Sequence, residues 1–399
     1  MRKLSALDAT FIGLAAMLGA GVFVVFGPAF EAAGSWLLPA IALAGFIAYV
    51  NAASVSQLAA KVDRSGGVYA YGRHYLGEGW GTLAGISFLI GKIGSAAAIA
   101  LTFASYLTPT TVVPTALGAT LVMMGINLAG IKRTALGSKI LASITLAFLT
   151  ILIAAALIAP TVSVSPRTPH PMGFLSGVAL VFFAFAGYAR VATLGAEVQD
   201  SARNVPKAIA ISLGIVLAIY LMLGYLLMSR MGDSLGGVTP LADLAAVALP
   251  NLSGLSSGPF VAVAALGSLL ALLAGMSRTA AEMATDGELP SVFAHRLRNG
   301  TPWVAELTIT GFVLLLIITG GVVFTIGLSS FAILIYYAIA NLTAFRQPKQ
   351  ESTRPRFWGL LGMVLCLAIG FSVPLSSLLI GAATLASAMF LRWGLKALR

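Results

Sequence analysis

The sequence predicts an all-α integral membrane protein of about twelve transmembrane helices. Three observations predict it. Of 399 residues, 59% are hydrophobic and 9% are charged, whereas soluble chains carry roughly 25% charged residues. Mean hydropathy is +0.97. Apolar runs of about 20 residues, enough to cross a bilayer as a helix, recur from one end to the other. No soluble core could hide this much apolar surface, so the bilayer is the solvent for most of the chain.

The runs lie near 8–33, 35–60, 79–107, 112–130, 134–159, 172–199, 205–230, 256–284, 302–321, 322–345, 357–373 and 375–393. They are called spans 1 to 12 below. Spans 9 and 10 are divided at Gly320-Gly321, and spans 11 and 12 at Pro374. Twelve spans put both termini on one side. Of the 24 Lys and Arg, 18 fall on that side, two (Arg167 and Arg230) on the other, and Lys92, Lys139, Arg190 and Arg278 within the runs. By the positive-inside rule both termini are cytoplasmic and the membrane is the cytoplasmic one. The net charge of +11 is explained by this asymmetry and needs no nucleic acid.

The chain reads as one transmembrane domain over 1–399, without a separate soluble part. Its longest polar stretches are 61–78, 285–301 and 346–356, all on the cytoplasmic side, and the first reads as a short helix along the membrane surface. Arg2 and Lys3 before an apolar run resemble a signal peptide, but the run continues past Phe30 and reads as a retained helix. The lone cysteine, Cys366, sits in an apolar run and reads as a small buried hydrophobe.

Two spans are interrupted by glycine. Span 1 carries Gly19-Ala20-Gly21 at mid-run and span 6 carries Ala186-Gly187-Tyr188. Glycine costs about 1 kcal/mol in a helix and lets backbones approach closely. Non-helical backbone at membrane depth survives only where it is buried or lines a cavity. Gly-interrupted spans at matching places in two five-helix halves point to the binding site of an inverted-repeat transporter. Unwinding frees N–H groups that, with the helix dipole, suit a carboxylate. Glycine also serves helix packing, and the chain has 43 of them, so neither break is specific alone.

Five segments carry a resemblance to a known family. They are G-A-G-V-F at 19–23 with G-P at 27–28; S-G-G-V-Y-A-Y at 65–71; G-I-K at 130–132; F-A-F-A-G-Y at 183–188 running on to E-V-Q-D-S-A-R-N-V-P-K-A-I at 197–209; and S-R-T-A-A-E-M-A-T-D-G-E-L-P at 277–290 followed by T-P at 301–302. In order and spacing the chain resembles the amino acid permeases of the amino acid–polyamine–organocation superfamily. The resemblance implies a LeuT-like fold: a first five-helix repeat over 8–159, an inverted second over 172–345, and two accessory helices over 357–393. It also implies a substrate carboxylate held at the first break, at Gly19, Ala20, Gly21 and Val22. The ammonium would meet carbonyls around Phe183, Phe185 and Ala186 beside Gly187, with Tyr188 covering the substrate.

Ionisable residues inside a membrane are functional candidates because each costs several kcal/mol unless paired or hydrated. Glu197 lies ten residues after Gly187, roughly 15 Å along a helix, at the cytoplasmic end of span 6. It reads as a gate or as a partner of Arg203 or Arg278. The family usually has Pro four residues on, where this chain has Ser201. Arg278 and Glu282 are one turn apart on span 8, with Asp286 expected a further turn on, and read as part of a cytoplasmic gate or its anchor. Lys92 lies near the centre of span 3. Many relatives have a lysine in span 5, thirteen residues after the Lys of G-I-K, standing in for sodium. Here that position is Thr145. Lys92 then reads as the replacement cation, in proton coupling or substrate binding, or as a structural lysine tucked against carbonyls. Ser268 on span 8 is a further polar candidate, and with Thr145 could instead help form a sodium site. Ala189, where some cationic permeases carry an acid, argues with Lys92 and Arg190 against a cationic substrate.

The expected function is alternating-access transport of a neutral amino acid, sodium-independent and proton-linked. Amine or polyamine transport and amino acid exchange are the alternatives within the fold. A channel would need a filter or a ring of charges, and an enzyme a convergent acid, base or metal set. Gly254-Leu255-Ser256-Ser257-Gly258 matches a nucleophile-elbow pattern but lacks its strand–turn–helix setting. His74, His170 and His295 are scattered over both sides, so no metal or cofactor is expected.

Overall fold

The computed structural model of the protein describes residues 5–19, 21–62, 66–130, 132–165, 168–192, 198–250 and 258–397. Among them helices account for the regular structure, and no strand occurs. Span 1 is three pieces: α1 (Ala6–Met17), α2 (Gly21–Val24) and α3 (Phe26–Ala33). Spans 2 to 5 are α4 (Leu37–Ala59), α6 (Glu78–Leu107), α7 (Val112–Leu128) and α8 (Lys132–Ile158), with the short α5 (Val68–Leu76) between α4 and α6. Span 6 is α9 (Pro171–Phe185), a 3₁₀ turn over Ala186–Tyr188, and α10 (Ala189–Ala192). Then come α11 (Ser201–Met231), the short α12 (Pro240–Ala248), α13 (Gly258–Thr285), α14 (Trp303–Thr319), α15 (Val322–Arg346), α16 (Phe357–Gly370) and α17 (Leu375–Ala397).

Eight helical stretches of the described residues are long and apolar enough to cross a membrane, and four shorter apolar helices complete the expected twelve. Both sequence divisions fall between helices: α14 stops at Thr319 before Gly320-Gly321, and α17 starts just after Pro374. The 61–78 stretch holds α5, which buries Val68 to Gly72 as a surface helix should.

The helices sort into two groups. Spans 1, 2, 6 and 7 pack together: α1 and α4 on α11, and α3 and α4 on α9. Spans 3, 4, 8 and 9 form the second group, with α6, α7, α13 and α14 packed on one another. α8 fills one side against α13 and α1, and α15 fills the other against α6 and α4. Each group takes two neighbouring spans from each half, five positions apart, the pairing that two five-helix repeats require. The protein is thus an all-helical membrane protein of LeuT-like organisation, with α16 and α17 outside it, both packed on α15.

Local chemistry fixes several ends. Ser5 and Asp8 form a capping box that starts α1. His170 caps α9 through its Nδ1, with Pro171 at the first helical position. Arg230, at the end of α11, donates to the carbonyls of Ala156 (2.9 Å) and Leu157 (3.1 Å), satisfying groups that the end of α8 leaves open.

Candidate functional site

The two breaks lie against each other. α1 ends at Met17, Leu18 is its last hydrogen-bonded residue, and the next described helix starts at Gly21. Val25 is helical and Ala29 N–H bonds its carbonyl at 3.0 Å, so α2 and α3 act as one bent half-helix. A Cβ on Gly21 would sit 2.8 Å from the Cα of Ala184, and one on Gly187 would collide with the Ala16 carbonyl. Only hydrogen at these positions lets the two backbones meet so closely. Ala20 lies outside the described residues.

Tyr220 of α11 ties the breaks together. Its hydroxyl donates toward the carbonyl of Met17 at 2.5 Å, with that of Ala184 at 3.2 Å. Its ring meets Phe26 edge-on at 5.9 Å and Phe185 at 4.9 Å. Tyr106 of α6 does related work beyond the break, donating to the Phe23 carbonyl at 2.6 Å and accepting from Leu241 N–H at 3.2 Å. It thereby joins α2 to α12 on the face opposite α5. Val22, Phe183, Phe185, Ala186 and Tyr188 are buried, so the crossing is closed to solvent. Tyr188 turns its ring to α15, stacking on Tyr337 at 5.1 Å.

Of the polar candidates, Ser268 reaches the break: its side chain occupies the space a Cβ on Gly19 would need. Thr145 is buried on α8, one turn from Phe148, whose ring lies 6.1 Å from that of Phe23. Lys92 is 8% exposed, and its Nζ lies 5.9 Å from the centroid of the Phe88 ring. Among the described residues the structure gives this ammonium no hydrogen bond or ion pair. Phe88 leads on to Tyr336 (5.4 Å) and Tyr337 (5.1 Å), so an aromatic row runs from Lys92 to Tyr188. Glu197 and the Arg190 side chain lie outside the described residues.

Arg278 and Glu282 are half-buried on α13, and both have partners. Asp286 lies one turn beyond Glu282, its N–H bonding the Glu282 carbonyl at 3.0 Å. α13 ends at Thr285, and Asp286 lies in the turn beyond, where it accepts from the Tyr69 hydroxyl at 2.8 Å. The Gly287 that follows, with φ of 77°, carries the chain away. The central acid of this face is Glu288. Arg73 of α5 donates to its Oε1 at 2.7 Å and Arg392 of α17 to its Oε2 at 2.7 Å. Burial alone would raise the Glu288 carboxyl, but hydrogen bonds from Arg392, Thr82 and Arg73, with the charge of Arg392, outweigh it and hold its pKa down at about 2. Sequence reasoning missed this clamp, although its parts stand in two of the three polar stretches and at the end of span 12.

Two other polar groupings were also missed. Asn51, Ser54 and Gln57 fall every third residue on α4, a polar face within an apolar span that the sequence displays. Asn341 of α15 donates to Asn51 Oδ1 at 2.7 Å and accepts from Ser54 at 2.7 Å, while Gln57 bonds Gln347 at 2.7 Å. Glu306 is an acid within span 9, 1% exposed, and its place inside an apolar run was the available signal.

Comparisons with known proteins agree with this architecture. The family profile described as "Amino acid permease" matches residues 4–392. An uncharacterized transporter of Mycobacterium tuberculosis is 41% identical over 393 residues, covering 96% of this chain and 89% of that protein. A branched-chain amino acid permease of Bacillus subtilis is 30% identical over 343 residues, covering 76% of this chain and 72% of the relative. Cationic amino acid transporter 4 of Homo sapiens is 27% identical over 327 residues, covering 74% of this chain and 51% of the relative. With a profile matched along nearly its whole length and broken spans crossing at its centre, the chain belongs to the amino acid permease family and is a multi-pass membrane transporter.

Proposed function

We propose that this permease carries a neutral amino acid across the cytoplasmic membrane by alternating access, without sodium and linked to proton movement, with both termini in the cytoplasm. The observation that carries the reading is the crossing of the breaks, where backbone groups of span 1 and span 6 face each other at Gly21–Ala184 and Gly187–Ala16. A zwitterion needs donors for its carboxylate and acceptors for its ammonium. The N–H groups at the start of α2 supply the first, and the carbonyls at the end of α9 the second. Gly19, Ala20, Gly21 and Val22 hold the carboxylate; Phe183, Phe185, Ala186 and Gly187 present the ammonium site; Tyr188 closes over it. The branched-chain substrate in the name of the Bacillus subtilis relative supports a neutral cargo. Ala189, where a cationic carrier would place an acid, supports the same choice. The first repeat covers 8–159, the second 172–345, and the accessory pair 357–393. Glu197, Arg278 and Glu282 belong to the cytoplasmic closure.

Uptake of radiolabelled amino acids into proteoliposomes tests the reading, with Gly21→Leu as the decisive variant. A leucine there fills the meeting point with Ala184, so uptake and binding should vanish while the protein still inserts. Full affinity in a well-folded Gly21→Leu protein would sink it.

Lys92 is the internal cation in this reading, its buried ammonium releasing a proton during turnover. A second reading has an observation in its favour: Ser268 abuts Gly19, and Thr145 lies one turn from a residue packed on Phe23. Two hydroxyls so placed suit a sodium ion, leaving Lys92 a structural role. Transport in sodium-free proteoliposomes separates the two. Sodium-independent, pH-sensitive uptake that loses its pH response in Lys92→Met supports the lysine. Uptake that requires sodium and is unaltered by Lys92→Met supports the hydroxyl pair.

A further inference from the structure

Four charged side chains at the α5 face follow one another with alternating sign. Glu78, the first residue of α6, accepts from Arg73 Nη2 at 2.8 Å. Arg73 Nη1 donates to Glu288 Oε1 at 2.7 Å. Arg392 grips the same carboxylate twice, from Nε to Oε2 at 2.7 Å and from Nη2 to Oε1 at 3.3 Å. The order is Glu78, Arg73, Glu288, Arg392. The side chain of the outer acid is 56% exposed and that of the inner acid 1%.

The backbone divides this row in the middle. Glu78 is five residues from Arg73, so these two travel together. Arg392 stays with Glu288 for a different reason. Leu385, Ala388 and Met389 of α17 pack on a cluster that contains Ile86 of α6 and Met283 of α13. Between the two halves lies the junction of α5 with the turn after α13, crossed by Arg73–Glu288 and by the Tyr69–Asp286 bond. α5 has nine residues and is flanked by Gly67 and Gly77, at φ of 59° and 99°. Glycine at both ends lets a short helix tilt as a unit.

Breaking a buried ion pair leaves an uncompensated charge, which makes such pairs hard to open. This row avoids that. If its middle bond opens, Arg73 keeps Glu78 and Glu288 keeps Arg392, so each half leaves with its charge matched. The outer members also weaken the middle bond while it is closed. Arg392 repels Arg73 and shares the Glu288 charge, and Glu78 competes for Arg73. We propose that Arg392 of the last helix and Glu78 of span 3 are positioning residues of the transport cycle, acting through Glu288 and Arg73 to make the α5 closure releasable. The last helix, outside both five-helix repeats, thereby takes part in gating.

The inference rests on the cytoplasmic closure proposed above, but its test needs no substrate. Ala70 on α5 is 3% exposed, so a reporter Ala70→Cys reacts with a maleimide when α5 lifts. The protein without the reporter is the blank, its Cys366 being buried. Middle and outer members should act in opposite directions. Glu288→Gln should speed labelling by about threefold, whereas Arg392→Met and Glu78→Gln should slow it by about threefold. Arg392→Lys keeps the charge and should return the rate to that of wild type. A plain anchor would give another order: Arg392→Met would loosen α17 and speed labelling, as Glu288→Gln does. Faster or unchanged labelling in folded Arg392→Met therefore overturns the proposal. If Arg392→Met fails to fold, Glu78→Gln, at an exposed side chain, decides by the same criterion. Uptake is read separately: transport lost with this order of rates intact counts against the proposed cargo and not against the latch.

Discussion

At the crossing of spans 1 and 6, backbone meets backbone; on the α5 face, long charged side chains meet across gaps that backbones could not close. Gly187 and Gly21 offer no side chain, and their partners are a carbonyl and a Cα. Arg73, Glu288 and Arg392 reach one another from three separate elements. The first kind of contact is short, directional and unforgiving of a single added carbon. The second can lengthen, break and reform as side chains rotate. In the function proposed above, the fixed chemistry would read the cargo and the releasable one would let the path open.

Gly187→Ala should break this comparison most severely. The added methyl meets Ala16 backbone atoms that cannot rotate aside, so we expect a loss of about 1–3 kcal/mol in stability together with loss of uptake. Thermal unfolding in detergent and proteoliposome uptake would check it, and near-normal values would show that the breaks do not touch as described. Tyr220→Phe comes next. It strips the donor from two buried carbonyls at a cost of about 1–3 kcal/mol, with uptake reduced in a protein that still purifies.

Glu288→Gln should be milder in stability and clearer in conformation. Both guanidiniums keep some access to water, at 21% and 15% side-chain exposure, so the loss is nearer 1 kcal/mol than the value for a fully buried pair. Cysteine labelling from each side should show more opening of the α5 face. Its pH signature is specific. The folded carboxyl is depressed to about 2, so its stabilisation is complete above the ordinary carboxylate range and is lost as pH falls through about 2. The stability gap between wild type and Glu288→Gln should therefore stay constant above about pH 5 and close below it. A gap that varied around neutral pH would mean that another group titrates with the clamp. The smallest effect belongs to Gly45→Ala. Its methyl would meet the flexible end of the Leu217 side chain rather than backbone, and we expect stability within about 0.5 kcal/mol of wild type.

The sequence displays these regions unequally. The breaks are legible because Gly19, Gly21 and Gly187 stand at mid-run in spans of matching rank, a pattern that helix physics makes costly without a use. The helix count and the α5 surface helix are legible from hydropathy alone. Tyr220 and Tyr106 are not, since a tyrosine inside an apolar run looks like core until its hydroxyl is seen on a broken-helix carbonyl. Glu288 is silent for a different reason. An acid in a polar loop has no period, and its two partners are about 100 and 215 residues away. Lys92 is intermediate: its depth can be counted along span 3, but its neighbours cannot. The structure sets its ammonium beside Phe88 and sets Ser268, given less weight in the sequence, at the break itself.

α17 is the least enclosed of the long spans, with Leu375, Leu379, Phe390 and Trp393 each 60% exposed or more. It is fastened near both ends: Ser377 bonds the Phe324 carbonyl at 2.9 Å, and Arg392 bonds Glu288. Those fastenings are fifteen residues apart, about 22 Å of helix, against a hydrocarbon core of about 30 Å. The outermost helix is thus exposed along most of its surface and pinned at one end to the Glu288 clamp. Bilayer thickness loads such a helix. Uptake measured in bilayers of different lipid chain length would show whether that load reaches the α5 face.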